Sequence, residues 1–592
     1  MKGLSPRFFW WWGLTLLAAC ATYSAWVLGS TSWADARELD RIFPFYNWRS
    51  RAFSTTAYAA VRNGLGLAAG LLAFAAAVMA LSGRNRTEIS ALGQEVAQAQ
   101  TSLRRGIWQL NSGQRWQLLG ALAGLTLLRL YFSIYNPEYD DAVSYEVFVS
   151  KGLLATSAYY PIPNNHVFSN TVSLLFYQLS PGFWWSMRLP VLLVSTGATV
   201  LLFAALLRHA GFRAAAVAVT LFSCLQLSLY HAGVGRGYWL LILFGGVVFF
   251  CTLELAAGPR RPRAAWAGLA VAGVLGCYTV PTFVYALASA FSWLGLAFLR
   301  RRQWAQLGQL AAVGTLVGVA TTVLYTPLLL VSGFDKLTGN GFVAALEPGR
   351  FWRELPAYLW HNEGFLAGQR SLGPLITLAV LALLGRLFHL ARTGRLPAAQ
   401  AQRLRQLAPP ALWFMALPYA IILGQRVFPP ERVLLYKAFF FFILAALVTE
   451  WLLGQWPGQR WPRRTIAALA VLFGVYQTYS VVRVNPAARG TNAAYHAGLR
   501  WLVTQPAGPV LIPEPTHNLF FRFYAHSEER QRTWQIDDDQ HPGTQYAYVV
   551  AFPNKRGFFQ PLFPFPPVYR NAQLDIYAVP PNYPLHTKPW RH

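Results

Sequence analysis

Thirteen apolar runs of about twenty residues limit what this chain can fold into more than any other feature. A bilayer core about 30 Å thick is crossed by about 20 residues of helix, and backbone groups inside it must be satisfied within the segment. The runs centre on residues 8–28, 63–82, 117–135, 184–207, 213–230, 238–256, 264–280, 283–299, 306–330, 373–390, 410–424, 433–453 and 465–482. They predict a mainly α, polytopic transmembrane helix bundle. Only 12% of the 592 residues are charged and 55% are hydrophobic, whereas a soluble domain carries about a quarter charged residues. A soluble multidomain enzyme and a disordered scaffold are excluded.

Charge sets the orientation. There are 50 Lys and Arg against 23 Asp and Glu, a formal +27, which in a soluble protein would point to nucleic acid. Here the excess occupies alternate loops. Segments 1–7, 83–116, 208–213, 257–263, 300–305, 386–409 and 454–464 hold 23 basic residues and two acids, Glu88 and Glu95. Loops 29–56, 136–183, 231–237, 331–372 and 425–432 hold 12 basic and 12 acidic residues. The positive-inside tendency then places the amino terminus in the cytoplasm and residues 483–592 outside. No nucleic-acid partner is expected. Met1 to Arg7, followed by an apolar stretch ending at Cys20, also reads as a lipoprotein signal, although the run continues to Leu28. All four cysteines lie inside apolar runs without metal-site or disulfide spacing, which reads as core packing.

Segment 83–116 is basic and reads as an amphipathic helix on the membrane surface. The terminal 483–592 segment shows strand-like runs at Val510–Ile512, Tyr546–Phe552 and Leu574–Val579 around a helix near Asn518–Ala525. It predicts a small α/β domain outside the membrane.

The chemistry collects in outer loops. After the third run the chain reads Asn136-Pro137-Glu138-Tyr139-Asp140-Asp141. Asn136 as cap, Pro137 at the first helical position and acids in the first turn predict a helix start. That role accounts for Glu138 and partly for Asp140. Adjacent helical residues point about 100° apart, so only one aspartate serves the cap and another carboxylate is held just outside the bilayer. Tyr159-Tyr160-Pro161-Ile162-Pro163-Asn164-Asn165-His166 is a turn dense in polar and aromatic groups; His166 is either an interfacial anchor or a binding residue.

In the turn His231 to Tyr238, glycines permit close backbone approach and Arg236 offers a planar fork for phosphate or carboxylate. The alternative is that Arg236 only snorkels. Lys437 falls a turn inside the twelfth run, where it needs a counter-ion or a polar cavity. Arg432 and Lys437 are close enough to engage one anionic group, or else form a structural network with Glu431. His361-Asn362-Glu363 either meets substrate or is an exposed loop. Asp537-Asp538-Asp539 reads as a solvated loop, without the spacing of a calcium site.

The acidic pair Asp140-Asp141 after a span, Pro163-Asn164-Asn165-His166 entering the next, Arg236-Gly237-Tyr238, and Pro430-Glu431-Arg432-Val433-Leu434-Leu435 occur in an order that resembles the GT-C superfamily of polytopic glycosyltransferases. Glycosyltransferase family 39 and its bacterial relatives, among them protein mannosyltransferases and lipid A aminoarabinose transferases, are the most similar. The resemblance covers about residues 117–590. It implies a bundle of about 13 spans, N-in and C-out, of GT-C type, with a small C-terminal extracytoplasmic α/β domain. Residues 1–82 are then two accessory spans, 83–116 a cytoplasmic segment, 117–482 the catalytic domain and 483–592 the outer domain.

The resemblance further implies transfer of a sugar, with inversion, from a polyprenyl-phosphate-linked donor to an extracytoplasmic lipid, glycan or protein. The setting would be a bacterial inner membrane, with the site on its outer face. Asp140 and Asp141 are the expected catalytic pair. Asn165 and His166 are expected at sugar or acceptor, and Arg236, Tyr238, Arg432 and Lys437 at the donor. The usual dyad is Asp-Glu, so Asp140-Asp141 leaves open which carboxylate is the base and whether a divalent cation is held. No cofactor is otherwise implied. A transporter or flippase would instead place ionisable groups and broken helices at mid-span. A noncatalytic assembly scaffold would depend on 83–116 and the outer domain.

Overall fold

Among the described residues, ten helices are long and apolar enough to cross a bilayer, or eleven if one bent pair forms a single span. The computed structural model describes residues 5–39, 42, 53–135, 137–258, 260–339, 344–484, 486–528, 534–553 and 563–585. The ten are Pro6–Gly29, Thr55–Leu81, Trp184–Ala210, Tyr238–Ala257, Pro281–Arg300, Trp304–Val331, Gly373–Arg392, Ala398–Gln425, Glu431–Gly454 and Trp461–Arg483. Each coincides with one of the apolar runs.

The other three runs are helical too, but differ in kind. Run 213–230 is split into Phe212–Cys224 and Gln226–Gly233, bent by 64°. Run 264–280 is the Ala- and Gly-rich helix Pro262–Thr279. Run 117–135 lies in Ser112–Ser133, whose Arg129 is fully enclosed. That guanidinium donates to Thr199 Oγ1 at 2.9 Å and lies 4.5 Å from the Trp239 ring centroid, so packing and a cation–π contact replace water around it.

Side-chain bulk and backbone approach decide which helices lie inside. Glu431–Gly454 is the most enclosed, with 78% of its apolar window buried, against 11% for Thr55–Leu81 and Trp461–Arg483. Its Phe440 meets Phe249 at 4.8 Å and Phe414 at 4.9 Å between ring centroids. At Gly246 a Cβ would fall 2.2 Å from Leu202 Cδ2, so glycine lets Tyr238–Ala257 lie directly on its neighbour. The first helix, Pro6–Gly29, packs on Thr55–Leu81 and Trp304–Val331, and Ser24 Oγ donates to the Val323 carbonyl at 2.8 Å. Residues 83–108 form one helix, Gly83–Trp108, tied to the bundle by Arg263, which pairs with Glu88 at 2.7 Å and Glu95 at 2.9 Å.

The C-terminal segment forms a five-stranded sheet in the order β2-β1-β3-β5-β4. The strands are β1 (Val510–Leu511), β2 (Ile536–Asp537), β3 (Tyr548–Ala551), β4 (Tyr569–Arg570) and β5 (Asp575–Ala578). β1 runs parallel to β2 and β3, whereas β5 is antiparallel to β3 and β4. β1, β3 and β5 are the three strand-like runs of the sequence. β2 and β4 have two residues each, too short to show alternation. Helix Pro515–Glu528 packs against the loop that carries Asp140, with Phe523 edge-on to Tyr145 at 5.4 Å and to Phe183 at 5.0 Å.

Candidate active site

The helix of the acidic loop starts later than its sequence signals suggest. It spans Tyr139–Val143 with Glu138 at the cap position; Asn136, the expected cap, lies outside the described residues. The chain continues as a single π-turn, Ser144–Phe148, a geometry found often at functional sites. Asp140 and Asp141 therefore point in different directions.

Asp141 is fully buried. Its Oδ2 accepts from Arg188 and, at 3.4 Å, from the Glu138 amide; its Oδ1 accepts from the Gly235 amide at 2.9 Å. Burial pushes this carboxyl up, while Arg188 pulls it back down. Glu138 is also raised by burial and accepts a hydrogen bond from Tyr230. Asp140 is the open member, with a side chain 39% exposed. Asn164 Nδ2 donates to its Oδ1 at 3.0 Å, and Arg236 Nη2 lies 3.9 Å from its Oδ2.

Arg236 is the hub. Its Nη1 donates to Ser144 Oγ at 2.8 Å and to the Asn164 carbonyl at 2.7 Å, and its Nη2 lies 3.1 Å from His166 Nε2. The Gly237 amide donates to His166 Nδ1 at 3.0 Å. A neutral imidazole accepts at one nitrogen only, so the Arg236 guanidinium and the Gly237 amide, both donors, compete for His166. Burial and the nearby Arg236 and Arg432 guanidiniums hold His166 well below its ordinary range, which keeps it neutral. Glycine is needed here: a Cβ at Gly237 would meet Thr279 Cγ2 at 2.7 Å and His166 Nδ1 at 3.2 Å.

Tyr238 closes the cluster. Its ring lies 4.8 Å from His166 and 4.1 Å from His231, and Arg432 lies within electrostatic reach of Tyr238 and Asp140. Asp140, His166, Arg236, Tyr238 and Arg432 are thus brought together.

Asn165 and Lys437 are placed otherwise. Asn165 donates to the carbonyls of Thr156 at 2.8 Å and Tyr159 at 3.0 Å, and accepts from Asn170 at 2.9 Å. Its amide holds the loop, and Asn164 is the neighbour that reaches the cluster. Lys437 is fully buried, with Nζ 3.6 Å from Glu363 Oε1 and 3.1 Å from the centroid of the Tyr419 ring. Its counter-ion is Glu363, not Glu431.

Sequence reasoning passed over Arg188, Ser144 and His231. Arg188 carried a usable signal, being an arginine near the start of an apolar run. Ser144 had one in its i, i+4 spacing from Asp140, and His231 in opening the turn that carries Arg236. Among the described residues no group of three or more His, Cys, Asp or Glu side chains is arranged to hold a metal ion. Asp141 is committed to Arg188 and two amides, which leaves Asp140 as the open carboxylate of the pair.

No family model matches the chain, and no curated protein matches it significantly. Solved structures do. ArnT from Cupriavidus metallidurans in the apo state superposes with a TM-score of 0.51 at 13% identity, over 79% of this chain and 98% of that one. The same protein bound to undecaprenyl phosphate gives 0.49 at 13% identity, over 78% and 97%. Arabinosyltransferase EmbB from Mycobacterium smegmatis gives 0.39 at 16%, over 66% and 34%. The chain is an integral membrane protein with a GT-C-like fold.

Proposed function

We propose that this protein is a membrane glycosyltransferase that moves a sugar from a polyprenyl-phosphate donor to a hydroxyl acceptor, with inversion, on the outer face of a bacterial inner membrane. The observation that carries the reading is Asp140, a half-open carboxylate beside the buried Arg236 and His166 and the half-buried Arg432. Carboxylate and cations have separate tasks in such a transfer. Asp140 takes the proton of the acceptor hydroxyl as that oxygen bonds to the anomeric carbon. The bond from that carbon to the phosphate oxygen breaks, and the phosphate leaves as an anion stabilised by preorganised donors. The chain supplies Arg236 and Arg432 for that task, with neutral His166 beside Arg236. Attack from the side opposite the leaving phosphate gives inversion.

Asp141 positions the loop by locking Glu138, Arg188 and Gly235 together. ArnT binds undecaprenyl phosphate, which supports a lipid-linked donor. The N-in, C-out orientation rests on the 23 basic residues against two acids in one set of loops.

The test is sugar transfer from a lipid-linked donor by purified protein, comparing Asp140→Asn with Asp141→Asn. Loss of transfer in a stably folded Asp140→Asn protein supports the assignment. Full transfer in that variant sinks it.

A further inference from the structure

Helix Gly83–Trp108 takes no part in the candidate site, yet it roofs a cavity of ≈ 290 Å³. The walls are apolar: Val96 and Leu103 from this helix, Ala205 from Leu189–Ala210, Val247 and Phe250 from Tyr238–Ala257. The rim is charged, with Arg208, His209, Glu254 and Arg261.

Two helices fix where this cavity lies. Arg188 and Arg208 open and close the span Trp184–Ala210, and Arg188 holds Asp141. Twenty residues of helix separate them by about 30 Å, one bilayer core. Likewise Tyr238–Ala257 begins at the candidate site and ends with Glu254 at the cavity. The cavity therefore sits at the opposite membrane interface.

The rim carries more cation than its neighbours neutralise. Arg208, Arg260 and Arg261 lie within electrostatic reach of one another and of one carboxylate, Glu254. Arg261 is 3.7 Å from Glu254, and Arg208 has no ion pair among the described residues. Glu88 and Glu95 are taken by Arg263. An apolar cavity with surplus guanidiniums at its mouth, at the depth of lipid headgroups, is complementary to one kind of molecule.

We infer that this cavity binds an anionic phospholipid, its acyl chain against Val96, Ala205 and Phe250 and its phosphate at Arg208 and Arg261. Basic pockets between spanning helices take acidic headgroups for this reason. The occupant links the Gly83–Trp108 helix to the bundle through its chain, beside the link that Arg263 already provides.

The test uses native mass spectrometry of the full chain, delipidated in detergent and offered dioleoyl phosphatidylglycerol, dioleoyl phosphatidylcholine or soluble glycerol phosphate. Retention of phosphatidylglycerol over phosphatidylcholine is expected, falling about fivefold for each of Arg208→Gln and Arg261→Gln. Ala205→Trp, which fills the cavity, should release the chain as well. Equal retention of both lipids would overturn the proposal, as would arginine variants that retain phosphatidylglycerol like the parent. Glycerol phosphate binding as tightly as the lipid would assign the rim to a soluble anion instead. Arg208 is exposed, so its variant keeps the test valid if Ala205→Trp fails to fold.

Discussion

Asp140 and Lys437 each belong to a short charged motif at the end of a span, and each faces an opposite charge, but their surroundings differ. Asp140 is 39% exposed, held by one neutral amide and a guanidinium 3.9 Å away. Lys437 is 0% exposed and lies on the Tyr419 ring beside Glu363. Glu363 is itself committed, accepting from Tyr419 and, at 3.0 Å, from Thr377. A carboxylate with a free edge is open to a substrate proton. An ammonium enclosed by a ring and a bonded carboxylate serves the fold. Asp141 with Arg188 belongs to the second kind although it adjoins Asp140.

The comparison breaks first if Asp140 is dispensable. Asp140→Asn should lower sugar transfer by about 10²- to 10⁴-fold, the range for a general base, while the melting temperature stays near that of the parent. The sealed pairs should respond in the other direction. Asp141→Asn and Lys437→Met each leave a buried partner without its counter-charge, which costs about 3–5 kcal/mol. Thermal unfolding in detergent should show both less stable than Asp140→Asn.

A third buried carboxylate sharpens the contrast by its pH dependence. Glu146 accepts from Lys151 at 2.9 Å and contacts His526 Nδ1 at 3.0 Å and Arg522 at 3.5 Å, the last two on helix Pro515–Glu528. Burial raises its carboxyl, but these partners outweigh that and lower it from 4.5 to about 2. The resulting stabilisation, about 3 kcal/mol at 1.36 kcal/mol per unit, is fully present above pH 4.5 and is lost as pH falls toward 2. Amide exchange in Pro515–Glu528 should accelerate across that window, and Glu146→Gln should remove the dependence. The smallest effect expected is at Asn164. Asn164→Ala removes a hydrogen bond to a charged group, about 1.5–3 kcal/mol, and should slow transfer, whereas Asn165→Ala should weaken the loop and so lower thermal stability.

Local signals made part of this legible. Run length gave the spanning helices, and the Asp140, His166 and Arg236 motifs could be read because each sits at a span boundary in a recognisable order. The partners could not. Arg188 lies 47 residues from Asp141 and His526 lies 380 from Glu146; such pairs are set by how helices pack, which periodicity does not encode. The same blindness assigned Asn165 rather than Asn164 to the site, since neighbours in a turn differ only in which way they face. It also left Lys437 without Glu363, which the structure places on helix Pro348–Leu366 and not on an exposed loop.

The most direct measurement is mass spectrometry of polyprenyl-phosphate sugars in membranes of cells carrying the parent chain, Asp140→Asn, or neither. The account predicts that only the parent consumes a lipid-linked sugar, and that Asp140→Asn leaves the pool as high as cells without the protein do. A pool equal in all three, or one drawn down by Asp140→Asn as fully as by the parent, would contradict it.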